Sequence, residues 1–128
     1  MESTTKYLHE LHAEHREFNA QLDFVIDELK TYKHRLEEVA VANSKLEVMQ
    51  QVEHFQNQFI RHKEVIDELK SMIHHYEKSI ADLAEANNVA TDHRKTEDHT
   101  ELREQMATFT KIYSDLKSDF LGFLSKTL

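Results

Sequence analysis

The chain has 128 residues, enough for one domain with a true core, and contains no Pro, no Cys and a single Gly, Gly122. That composition excludes disulfides, thiolate metal sites and the Gly-rich loops that cradle phosphate groups. Its 24 acidic and 16 basic side chains leave a net charge of −8 spread along the sequence, without the basic stripe that nucleic-acid binding requires.

The first predicted element is a helix over about residues 4–42. Leu8, Leu11, His15, Phe18, Leu22, Val25, Leu29, Tyr32, Leu36 and Val39 keep an unbroken 3,4 spacing, which holds one face of a helix against its neighbours over many turns. Asn43 suits the end of this helix because Asn tolerates the left-handed conformation found there. Ser44 followed by Glu47 matches a capping box, so a second helix is expected over about 45–86.

The second helix carries its own seam, from Val48, Val52, Phe55 and Phe59 through His62, Ile66, Leu69 and Ile73 to Tyr76, Ile80 and Leu83. Asn87-Asn88 marks the next break, and Thr91, Asp92, Thr96 and Asp98 are alternative caps for a third helix over about 94–126. Its seam is His99, Leu102, Met106, Phe109, Tyr113, Leu116, Phe120 and Phe123. A hexapeptide also recurs, Val25-Ile-Asp-Glu-Leu-Lys30 and Val65-Ile-Asp-Glu-Leu-Lys70, but two copies do not make a solenoid.

Short connections force neighbouring helices to run antiparallel. Phe24, Ile26, Val65, Met72, Ile112, Leu121 and Leu124 widen the stripes beyond a two-stranded seam, which suits a three-helix interior. The fold expected is all-α: one domain over 1–128, an elongated antiparallel three-helix bundle with coiled-coil-like heptad packing. Leu22, Leu29, Ile66, Leu69 and Leu116 should lie at its centre. If the third helix starts beside Leu83, Phe123 reaches about as far as Phe59. The hairpin tip, with Leu36, Val39, Val48 and Val52, is then left partly open as a surface for a partner or a second copy.

Ten histidines are the one hint of chemistry. His9, His34, His54, His74 and His75 fall at outer b, c or f positions and are expected to face solvent, while His12 falls at e beside the seam. In His9-Glu-Leu-His12-Ala-Glu-His15 the outer imidazoles lie about 120° apart on a helix, so the three cannot point at one ion. Hemerythrin-like bundles are the nearest architectural comparison for a His/carboxylate metal site, but their H-x-x-x-H pairs are missing. H-x-x-x-E occurs only at His34/Glu38 and His93/Glu97. His15, His62 and His99 occupy seam positions, are expected at three separate levels of the rod, and are expected to be hydrogen-bonded interior residues.

With no thiol, no strained Ser elbow and carboxylates interleaved with Lys and Arg, no catalytic, cofactor or metal residues are assigned. The function expected is a non-enzymatic interaction or scaffold module, with a protein partner or self-association and neither nucleic acid nor membrane. The alternative is a His/carboxylate metal-binding bundle using pairs such as His34/Glu38. No apolar run approaches the roughly 20 residues of a membrane span, and the polar N-terminus lacks a signal-peptide core, so cytoplasmic residence is the default expectation.

Overall fold

The structure, a computed structural model, describes residues 2–86 and 92–128, with side chains described over 7–82 and 99–128. Among the described residues there are three helices and no strand: α1 Glu2–Ala42, α2 Leu46–Ala86 and α3 Asp92–Thr127. The break expected at Asn87-Asn88 and the cap at Thr91 lie outside the described residues, as do the side chains of Leu83, Asp92, His93, Thr96, Glu97 and Asp98. At 1.5 Å per residue the 41 residues of α1 make a rod about 60 Å long.

The 3,4 pattern explains the burial almost position by position. Along α1 every seam residue from Leu8 to Val39 is buried except Phe18, which is half-buried. Along α3 all eight seam residues from His99 to Phe123 are buried. In α2 the run from Val52 to Ile73 is buried, while Val48, Tyr76 and Ile80 at its two ends are half-buried. Leu22, Leu29, Ile66, Leu69 and Leu116 all belong to one continuous core.

The turn between α1 and α2 is capped differently from the Ser44–Glu47 box. The first carbonyl to accept in α2 is that of Lys45, from Met49 N–H at 3.1 Å, so the helix begins one residue later. Asn43 closes α1 with its side chain, whose Nδ2 donates to the Val39 carbonyl at 3.0 Å. It thereby satisfies one of the carbonyls that a helix end leaves unpaired. The same Nδ2 lies 3.5 Å from the Thr127 carbonyl, so the turn touches the end of α3.

Helices α1 and α2 are antiparallel, with Lys70 paired to Asp23 and the Tyr32 ring 6.4 Å from Phe59. This brings the two copies of the repeated hexapeptide side by side near mid-rod. Helix α3 runs antiparallel to α2 and parallel to α1. Its register corrects the expectation from sequence: His99 meets Tyr76 rather than the level of Leu83, and Phe123 meets Phe55 rather than stopping at Phe59. At the His99 end this sets α3 one heptad, about 10 Å, closer to the hairpin tip. A heptad pattern looks the same after a slide of seven residues, so the apolar spacing alone cannot choose between these registers.

The slide distributes the core unevenly. At the tip end, Tyr32, Phe55, Phe59, Phe120 and Phe123 form a cluster of rings with centroids 5.0–6.5 Å apart. At mid-rod, Tyr113 donates to Glu28 Oε1 at 2.5 Å and Lys117 to Glu28 Oε2 at 3.0 Å. Burial and this carboxylate both push the Tyr113 hydroxyl well above its usual pKa. The opposite end, where α2 gives way to α3, holds a buried polar layer.

Candidate functional site

The polar layer grows from seam positions that the heptad pattern drives inward. His15 of α1 is fully buried and His99 of α3 is 1% exposed. Their Nε2 atoms lie 2.6 Å apart, with ring centroids separated by 4.7 Å. The expectation of separate levels for the seam histidines is therefore overturned for His15 and His99. The one-heptad displacement of α3 carries His99 from the level of Leu83 to that of Tyr76, which is also the level of His15. His62 does stand at another level, between the rings of Phe109 and Tyr113 at 5.9 and 6.0 Å.

Carboxylates from two helices back the pair. Glu77 of α2 accepts from His15 Nδ1 at 2.6 Å through Oε1 and from His12 Nδ1 at 2.7 Å through Oε2. An ionised carboxylate only accepts, so both of these Nδ1 atoms carry protons. On the far side, Glu14 Oε1 lies 3.8 Å from His99 Nδ1. Arg103 grips the same carboxylate with two bonds, Nε at 2.6 Å and Nη2 at 3.0 Å. That fork of charged bonds holds the Glu14 carboxyl below its usual pKa. The Tyr76 ring lies against both imidazoles, stacked on His15 and edge-on to His99.

Proton bookkeeping follows from these contacts. His15 Nδ1–H is committed to Glu77, so its Nε2 meets His99 Nε2 with one proton between them. His99 Nδ1 is buried with no hydrogen-bond partner among the described residues. Burial, and then the neighbouring His15, push the His99 pKa down to about 4. The unfolded chain therefore takes up a proton that the folded chain refuses. Stability is lost as pH falls through about 6.5, and the loss continues until about pH 4, to a total of roughly 3 kcal/mol at most.

His62 is satisfied on one side only. Its Nδ1 donates to the Gln58 carbonyl at 2.8 Å, which leaves Nε2 as a buried acceptor without a partner among the described residues. The other candidates do not converge. His34 lies 3.6 Å from Glu37 rather than on Glu38, which is instead bonded to Arg35 at 3.2 Å. His34 is also largely exposed. Among the described residues, no three His, Asp or Glu side chains are placed to hold a metal ion.

The tip expectation is also corrected. Leu36, Val39 and Val52 are buried and Val48 is half-buried, because the displaced α3 lays Phe120, Phe123 and Leu124 over them. These four side chains are therefore not the open surface, although Val41, Leu46 and Leu128 at the same end are exposed. The sequence reading missed Glu14, Glu77, His12 and Arg103 as members of a site. The usable signal was the pair His12 and His15 at i, i+3, which can share one carboxylate from a facing helix.

The fold and the site define an all-α three-helix bundle with one polar layer sealed in its core. No protein-family model matches the chain, and no curated protein or solved structure matches it either. Among the described residues, no helix is long and apolar enough to cross a membrane.

Proposed function

We propose that this chain is a non-enzymatic interaction or scaffold module, whose helix grooves receive a helix of a protein partner or of a second copy of itself. The observation that carries this reading is the apolar character of the grooves. Each of the three grooves between helices has one large apolar side chain more than half exposed. Ile60 is 59% exposed between α1 and α2, Phe24 is 62% exposed between α1 and α3, and Ile112 is 51% exposed between α2 and α3. The α1/α2 groove, of about 520 Å³, continues inward from Ile60 to Phe59, Leu29 and Leu36, with Lys33, Lys63, Glu37 and Glu64 at its edges. Such a channel suits the apolar face of an amphipathic helix.

The polar layer supports the non-enzymatic part of the reading. A general acid or base must come within hydrogen-bond reach of a substrate. His15 and His99 are closed off from solvent, and their ring nitrogens already face each other and two carboxylates.

Photo-crosslinking from positions 60, 24 and 112, one at a time, tests the proposal in cells that make the protein. A discrete adduct, with a second copy or with one protein identified by mass, is expected from at least one position. Ile60→Asp, Phe24→Asp or Ile112→Asp in the same groove should abolish it without altering the fold. A protein that stays monomeric and forms no discrete adduct from any of the three grooves would overturn the reading.

A further inference from the structure

The contact between His15 and His99 has room for one proton and no more. At 2.6 Å, two Nε2 atoms form a hydrogen bond when one carries the proton and the other offers its lone pair. If both carry protons, two N–H groups point at each other, and the distance cannot be kept. If neither does, two lone pairs collide. Since Glu77 fixes His15 Nδ1 as protonated, the pair has two workable closed states.

In the neutral state His99 Nε2 donates to His15, and the bare His99 Nδ1 faces the Glu14 carboxylate with nothing to offer it. In the singly charged state His15 donates to His99, and His99 Nδ1–H then points toward Glu14. A third state, with two added charges, has no closed geometry. The closed contact therefore holds one proton between the rings in either state, and has no place for a second.

A metal ion between the two nitrogens fits less well. Zinc–nitrogen bonds are about 2.0–2.1 Å, so tetrahedral ligands stand roughly 3.3 Å apart. The observed gap is proton-sized, and the described residues supply no further ligand.

We propose that the His15–His99 pair is a proton-operated latch, closed with one shared proton and opened when a second forces the imidazoles apart, releasing the first half of α3 from α1 and α2. Among the described residues, charged and titratable groups from all three helices face the pair. From α1 come Glu14 and His12, from α2 Glu77 and Tyr76, and from α3 Arg103. Glu77 and Glu14 hold the first proton's charge, while Arg103 neutralises Glu14 and so weakens its welcome for a second.

The position of the latch makes the opening local. Leu8 and Leu11 are buried outside the continuous apolar core, whose α1 share begins at Leu22. The Tyr32–Phe55–Phe59–Phe120–Phe123 ring cluster and the Glu28–Tyr113–Lys117 network lie further toward the tip. Acid therefore acts on the less cemented end of the rod. Opening would uncover Leu11, Ile73 and Leu102, each at most 2% exposed when closed.

Residue-resolved amide hydrogen exchange on the full chain between pH 7.5 and 4 is the test. After correction for intrinsic rates, protection over residues 100–106 should fall about tenfold per pH unit below about 6.5, while residues 116–123 keep theirs. His99→Met should remove this pH dependence, and His62→Gln should leave it in place. Protection lost in parallel along the whole of α3, or an unchanged pH response in His99→Met, would overturn the proposal.

Imidazole ¹⁵N spectra of the unmutated protein give a second reading that needs no variant to fold. One proton shared by the two Nε2 atoms is expected throughout the closed state. Two Nε2–H signals in a closed bundle at pH 4 would overturn the latch. Uptake of one zinc ion per chain that His99→Met abolishes would also overturn it, assigning the nitrogens to a metal.

Discussion

The register of α3 can be tested at the aromatic end, where Tyr32 and Phe120 stand 5.0 Å apart between centroids. Phe120 is fully buried and also touches the rings of Phe55 and Phe59 at 5.2 and 5.1 Å. Phe120→Leu keeps most of the apolar volume and loses the ring contacts, so a cost of about 1–2 kcal/mol is expected. On a chain of this size that lowers Tm by roughly 3–10 °C. The informative quantity is the coupling between Tyr32→Leu and Phe120→Leu in a double-mutant cycle, expected at about 0.5–1.5 kcal/mol. Urea titrations followed by helical circular dichroism supply all four free energies, with m unchanged if only stability has moved. If α3 stood one heptad nearer the loop, Thr127 rather than Phe120 would lie level with Tyr32. Coupling below about 0.3 kcal/mol would then be observed, and it would refute the register from which the His15–His99 contact follows.

Two further outcomes follow from single positions. Gly122 lies within α3 with nothing within 4 Å of where a Cβ would stand, so Gly122→Ala should raise stability by up to about 1 kcal/mol, read as a higher Tm by calorimetry. Tyr113→Phe removes the hydroxyl that donates to Glu28 and leaves Lys117 as that carboxylate's partner, so a loss of about 1–2 kcal/mol is expected in urea titrations.

The three helices were legible because the seams are nearly unbroken and every turn signal falls between them. The central residues Leu22, Ile66 and Leu69, each at most 1% exposed, could be picked from spacing alone. Placing α3 along the rod was a different problem. The stretch between α2 and α3 carries several competing caps, and a slide of seven residues turns each apolar seam position into another. That ambiguity hid both the covering of Val39 and Val52 and the meeting of His15 with His99. Glu77 escaped notice for a related reason. It sits beside the seam rather than in it, in a chain where carboxylates are abundant, and only the facing His12 and His15 give it a role.

The polar layer also adds to the preference for one register over its neighbours. Move α3 back by one heptad and His15 comes level with Met106, while His99 comes level with Leu8. Two buried imidazoles would then lose each other, and His99 would leave the neighbourhood of Glu14, at a cost of roughly 1–3 kcal/mol for each polar group stranded. At the aromatic end the same slide would set Thr127 level with Tyr32 and Phe59 and leave Phe55 without Phe123, so the ring cluster resists it as well. Polar residues at seam positions commonly trade stability for such specificity. On this argument the His15–His99 contact and the Glu14–Arg103 fork choose the register together with the ring cluster at the tip. The same contact that makes the bundle sensitive to acid then also helps to make its arrangement single-valued near neutral pH.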